Sequence, residues 1–89
     1  MADRRLQVFH AVAKHLSFTK AADALFMTQP AVTAQIRQLE ELYDTRLFDR
    51  VQGRISLTAA GAMALEYAER ILAQSAELDL RLRESSGQI

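Results

Sequence analysis

Residues 28–43, TQPAVTAQIRQLEELY, hold the pattern on which the fold turns. Thr28 is a good N-cap, and Pro30 falls in the first turn, where a missing N–H costs nothing. Because Pro30 cannot donate, the Thr28 hydroxyl is expected to cap the N–H of Ala31. At ~100° per residue the segment divides into two faces. Val32, Ile36, Leu39 and Tyr43 form an apolar stripe, and Gln29, Pro30, Thr33, Ala34 and Arg37 lie off it. A solvent face carrying an amide, a hydroxyl, a methyl and a guanidinium in successive turns is the chemistry of base-edge and phosphate contact. Periodicity alone leaves an ordinary capped surface helix equally open.

Upstream, Leu6, Phe9, Val12, Ala13 and Leu16 recur at helical spacing, so a first helix is expected from about Asp3, its cap, to His15. Ser17 and Thr19 supply caps for a short second helix through Leu25, with Ala21, Ala22 and Leu25 inward. Phe26, Met27 and Thr28 then connect two short helices tightly, the arrangement of a helix-turn-helix, with Met27 as a plug in the turn. Thr19 and Lys20 lie where free N–H groups and the helix dipole can hold a backbone phosphate, although a plain cap explains Thr19 as well.

Downstream the period changes. Leu47 to Val51 has strand character, Gln52-Gly53 can form a turn, and Arg54 to Leu57 alternates, which predicts a β-hairpin. A hairpin directly after a helix-turn-helix is a wing. Arg50 and Arg54 flank its turn, where an arginine can reach a phosphate or enter a narrow minor groove. Thr58 caps a last helix from about Ala59 to Arg83 or Glu84, with Gly61 in its first turn. Ala64, Ala68, Ile71, Ser75, Leu78 and Leu82 follow a four-three spacing, and Leu65, Leu72, Ala76 and Leu80 add a second stripe. One stripe can cover the winged core; the other calls for self-association.

Composition narrows the classes. The chain of 89 residues is enough for one small domain, and its 49% hydrophobic content argues against disorder. It has no cysteine, which removes disulfides, Cys-ligated zinc and a thiol nucleophile. No apolar run approaches the ~18 residues of a membrane span. Residues 1–58 hold eight Lys/Arg against six Asp/Glu, and residues 59–89 hold three against five, so net charge is zero. Charge alone therefore does not point to nucleic acid. His10 and His15 lack a third ligand, so no metal or other cofactor is expected. Glu40 and Glu41 sit among charged helix neighbours with no pocket implied and read as solvated charge. No phosphate loop or nucleophile–base set is present, so an enzyme is not expected.

The runs SFTKAADALFMTQPAVTAQIRQLEELYDTRLFDR and GRISLTAAG, in that order and spacing, resemble the N-terminal DNA-binding region of LysR-type transcriptional regulators. The resemblance covers residues 4–84 and is nearest to regulators of carbon-fixation operons. It implies a mainly α fold: a winged helix-turn-helix of three helices and a β-hairpin wing over residues 1–58. A linker helix that pairs protomers follows over 59–84, and residues 85–89 begin a hinge. The implied partners are promoter DNA with an interrupted inverted repeat and a second copy of the chain. Full-length members are usually tetramers in the bacterial cytoplasm, and a small-molecule effector acts through a C-terminal domain outside these residues. The 89 residues then represent an isolated DNA-binding fragment.

Carried over by position, the resemblance makes Gln29, Pro30, Thr33, Ala34 and Arg37 base-reading residues. It puts Gly53 and Arg54 in the minor groove, and Thr19, Lys20, Thr28 and Arg50 on phosphates. Leu65, Ala68, Ile71, Leu72, Ser75, Leu78 and Leu82 become the dimerisation set. Relatives often carry a larger or basic side chain where this chain has Ala34, which offers only apolar contact, for instance to a thymine methyl. Two other readings stay open. One is a winged-helix protein-interaction module without specific DNA binding, for which zero net charge is the best argument. The other is kinship with molybdate-responsive regulators, whose N-terminal domain is of similar build.

Overall fold

The computed structural model describes residues 3–87; the ends of the expected 1–58 and 85–89 segments lie outside the described residues. The order is α1 (Arg4–His15), α2 (Phe18–Leu25), α3 (Gln29–Tyr43), β1 (Phe48–Val51), β2 (Arg54–Leu57) and α4 (Ala59–Ser85). Each helix begins on the side chain of its cap. Asp3 accepts from the N–H of Arg5, Ser17 from Lys20, Thr28 from Ala31 and Thr58 from Gly61. The Arg5 guanidinium, bonded to the Asp3 side chain, holds that carboxyl below the usual range.

Ser17, not Thr19, starts α2, because Ser17 is the residue with extended backbone and its Oγ accepts the Lys20 N–H at 3.1 Å. Thr19 is the second helical residue and is exposed. At the other ends, α2 and α3 close in the same way. The N–H groups of Phe26 and Met27 return to Asp23 and Ala22, and those of Asp44 and Thr45 return to Glu41 and Glu40. These are Schellman motifs, with Phe26 (φ 56°) and Asp44 (φ 47°) in the left-handed position.

The core gathers Val8, Phe9, Val12 and Ala13 of α1, Phe18, Ala21 and Ala22 of α2, Val32 and Ile36 of α3, Phe48 of β1 and Ala68 of α4. Ala21 and Ala22 let α1 and α3 approach α2 closely. Phe48 occupies the centre, 5.5 Å from the Phe9 ring and 6.0 Å from the Phe18 ring between centroids. Met27, Leu25 and Leu39 pack against this cluster as partly buried residues. Two residues read as inward from spacing are not. Leu16 is the left-handed residue that ends α1, which turns its side chain outward, and Tyr43 is 68% exposed because the chain leaves the core at the last turn of α3.

The wing is a two-stranded antiparallel sheet with Phe48 opposite Leu57 and Val51 opposite Arg54. Its tip is Gln52-Gly53, at φ 51° and 76°, the paired positive φ that a two-residue I′ turn requires. At its root, Thr58 donates its backbone N–H to the Leu47 carbonyl and its hydroxyl to the Arg46 carbonyl, at 3.1 and 2.6 Å. Gly61, buried in the first turn of α4, is what allows that approach, since a β-carbon there would strike the Leu47 carbonyl oxygen.

Helix α4 runs well past the winged body, so the molecule measures 52 × 25 × 20 Å. Its near half is joined to α1 by Glu69, whose carboxylate lies 3.4 Å from Lys14 Nζ and 3.6 Å from His10 Nε2. Ala68 is fully buried in the protomer's own core, and Ala64 and Leu65 pack against it. The expected pairing seam is therefore corrected at that end, because the winged body covers that side of the helix. The large apolar residues left exposed on α4 include Met63, Tyr67, Ile71, Leu78 and Leu82. At 100° per residue these five fall within about 100° of arc, a single face. Leu72 and Ser75 are half-buried and Leu80 is exposed away from that face.

Candidate nucleic-acid interface

The first turn of α3 is exposed from Thr28 to Pro30, and Ala34 and Arg37 are exposed above it. Gln29, Pro30, Thr33, Ala34 and Arg37 line one shallow depression along the helix, together with Gln38 and Glu41. The two faces read from spacing are thus real, except at Tyr43. The expected cap is also present: the Thr28 hydroxyl oxygen accepts the Ala31 N–H at 3.2 Å. An oxygen used as an acceptor there still has its O–H free to donate outward.

A second depression joins three elements that are distant in sequence. Thr19 at the start of α2, Gln29 at the start of α3, and Arg50, Gly53 and Arg54 of the wing line it with Leu16, Ser17, Phe18 and Ile55. Five of the nominated residues therefore meet on one side of the molecule. Two others behave differently. Lys20 is exposed but outside this lining, and Thr28 is held at the α3 cap.

Arg50 is held by an aromatic contact. Its guanidinium carbon lies 4.4 Å from the centroid of the Phe18 ring, and Phe18 is itself packed edge-on against Phe48. Stacking on an aromatic face leaves the planar edge of a guanidinium available for an anion. Arg50 also borders the adjoining hollow that Thr33, Arg37 and Arg46 share. Arg46 went unnoticed in the sequence. It follows the end of α3 in an aperiodic stretch, and only the fold brings it beside Arg37 and Arg50.

Zero net charge conceals an uneven distribution. Glu69 faces His10 and Lys14, Asp3 pairs with Arg5, and Glu77 pairs with Arg81. Glu40, expected to be solvated, is half-buried, and its Oε2 accepts the N–H groups of Leu47 and Phe48 at 2.7 and 3.4 Å. Arg50 and Arg54 line the second depression without a carboxylate beside them in that lining. Arg50 on β1 and Arg54 on β2, beside the exposed start of α3, make that depression suited to a polyanion.

The model of the bacterial regulatory helix-turn-helix proteins of the lysR family matches residues 4–62. The chain belongs to that family. Among curated LysR-type relatives, it is 48% identical over 71 residues to the HTH-type transcriptional regulator CfxR of Cupriavidus necator, covering 80% of this chain and 22% of that protein. It is 46% identical over 68 residues to the RuBisCO operon transcriptional regulator of Allochromatium vinosum, covering 76% and 22%. The chain thus spans about a fifth of the length of these relatives. A crystal structure of a BenM_DBD/catB site 1 DNA complex matches 97% of this chain and 97% of its own, with a TM-score of 0.91 and 32% identity. The winged helix-turn-helix with a long following helix is therefore the LysR-type arrangement.

Proposed function

We propose that this chain reads double-stranded DNA, as a dimer, for a bacterial LysR-type transcriptional regulator. The observation that carries the reading is the convergence of Gln29 and Arg54 on one depression, from the start of α3 and the far side of the wing turn. A helix start fits the major groove, and an arginine beside a two-residue turn fits the narrower minor groove next to it. Gln29, Pro30, Thr33, Ala34 and Arg37 are assigned to the major groove, and Gly53 and Arg54 to the minor. Thr19, Lys20, Thr28 and Arg50 are assigned to phosphates. Residues 1–58 form the reading unit and 59–84 the pairing helix. A second copy places two readers on an interrupted inverted repeat.

The chain acts as a binder rather than an enzyme, and the BenM complex supports the choice of duplex DNA. In the longer regulators the remaining length is assigned to effector sensing and tetramer assembly, in the bacterial cytoplasm. No helix among the described residues is long and apolar enough to cross a membrane. The Allochromatium relative puts promoters of carbon-fixation operons first among the duplexes to try.

The test is fluorescence anisotropy with a duplex selected from a randomised library and with its scrambled counterpart. Gln29→Ala is expected to cost about 1–3 kcal/mol on the selected duplex and to relax preference at one base position. Equal losses on both duplexes would rule out direct reading by Gln29. Failure of the parent chain to select any duplex would leave the protein-interaction module as the better reading.

A further inference from the structure

We propose that Glu40 is a positioning residue for DNA reading: its carboxylate fixes the root of the wing on α3 and so sets where Arg54 falls relative to Gln29. The inference rests on the function proposed above. A two-stranded hairpin leaves the outer edge of each strand without a sheet partner, and at the start of β1 Glu40 supplies one. Its Oε2 takes the N–H of Leu47 at 2.7 Å and that of Phe48 at 3.4 Å. On the opposite side, Thr58 holds the carbonyls of Arg46 and Leu47. The three-residue root is therefore gripped from both edges, by α3 on one and by the cap of α4 on the other.

Beyond the root, the wing touches the body through Phe48 between the Phe9 and Phe18 rings and through Arg50 over Phe18. The exposed tip at Gln52-Gly53 has no such anchor. Five residue steps separate Phe48 from the tip, roughly 17 Å at strand rise, so a tilt of about 10° at the root moves the tip by about 3 Å. That exceeds the tolerance of a hydrogen bond. Glu40 lies on the same helix as Gln29, three turns away, so one rigid element carries both the reading residue and the wing's anchor. Glu40 also borders the hollow shared by Thr33, Arg37 and Arg50, but its Oε2 is turned to the strand root. It acts through the backbone of residues 47 and 48.

The test is a pair of double-mutant cycles on the full chain, read by anisotropy on the selected duplex. Glu40→Ala is expected to weaken binding about tenfold in the parent and less than about twofold in an Arg54→Ala background, where the wing contact is already gone. In a Gln29→Ala background the tenfold loss should persist. Glu40→Gln, which keeps an acceptor of the same reach, should stay within about threefold of the parent. Should Glu40→Ala fail to fold, Glu40→Asp, shorter by one methylene, replaces it in both cycles. In parallel, hydrogen exchange at the Leu47 and Phe48 amides should accelerate in the Ala and Asp variants while α1 amides keep their protection. Losses that add fully to Arg54→Ala, or binding unchanged in Glu40→Ala, would overturn the inference while leaving DNA reading intact. No duplex selected by the parent chain would overturn the function itself and this inference with it.

Discussion

The Arg50 guanidinium carbon lies over the Phe18 ring, 4.4 Å from its centroid, so the wing's inner arginine is held against the start of α2 before any ligand arrives. An arginine fixed in this way loses little side-chain freedom on binding. Arg50→Ala should therefore weaken binding to selected and scrambled duplexes alike. The slope of log K against log salt should shrink by about 0.9, the share of one phosphate contact. Arg50→Lys should restore the slope and only part of the affinity, because an ammonium keeps the charge but not the planar fork of donors. A salt slope unchanged in Arg50→Ala would remove Arg50 from the phosphate contacts.

Gly61→Ala poses two opposed effects of known size. Alanine is preferred over glycine in a helix by about 1 kcal/mol, which favours the substitution. A β-carbon at this position, however, collides with the Leu47 carbonyl oxygen and meets the Leu57 side chain. That carbonyl cannot yield cheaply, since it accepts the Thr58 N–H and sits in the strand root. Overpacking of this kind costs about 1–3 kcal/mol and is against backbone here, so it wins. Urea unfolding should show a net loss of up to about 2 kcal/mol. A midpoint at or above the parent's would mean that the root of the wing moves freely.

Phe26 combines two unfavourable settings. Its ring is 97% exposed, and its backbone takes the left-handed conformation (φ 56°) that closes the Schellman motif of α2. A side chain with a β-carbon is disfavoured there by about 1–2 kcal/mol, and glycine avoids that while losing more chain entropy. Phe26→Gly should raise stability by about 0.5–1 kcal/mol in thermal unfolding. Phe26→Ala should change little, because it removes the ring but keeps the strain. Stabilisation by both variants alike would assign the effect to the exposed ring instead of the backbone.

What the sequence disclosed and what it withheld divide along the range of the interactions. The Thr28 cap, its skip over Pro30 to Ala31, the Gln52-Gly53 turn and the Thr58 cap are contacts within three residues, and residue type dictates them. Thr19 misled because two capping residues stand close together and only backbone conformation selects Ser17. Glu40 looked solvated because its partners lie seven and eight residues on, across an aperiodic stretch. Tyr43 continued a helical period beyond the point where the core ends. For α4, spacing supplied the faces but could not say which one the winged body would cover.

That last correction decides the association test. Ala68 is fully buried within the protomer, so the unpartnered face runs through Met63, Tyr67, Ile71, Leu78 and Leu82. In a two-fold dimer each residue of such a face enters the interface twice, once from each copy. Ile71→Glu with Leu78→Glu therefore brings four carboxylates into an apolar contact and should give a monomer in sedimentation equilibrium at concentrations where the parent is dimeric. Both positions are exposed in the protomer, so the stability of the winged body should stay within about 0.5 kcal/mol. Ala68→Leu should do the reverse, because it overfills the core at the α1–α4 junction. It should lower the free energy of unfolding by about 1–3 kcal/mol before it alters association. A double Glu variant that remains dimeric would show that the copies pair through another surface.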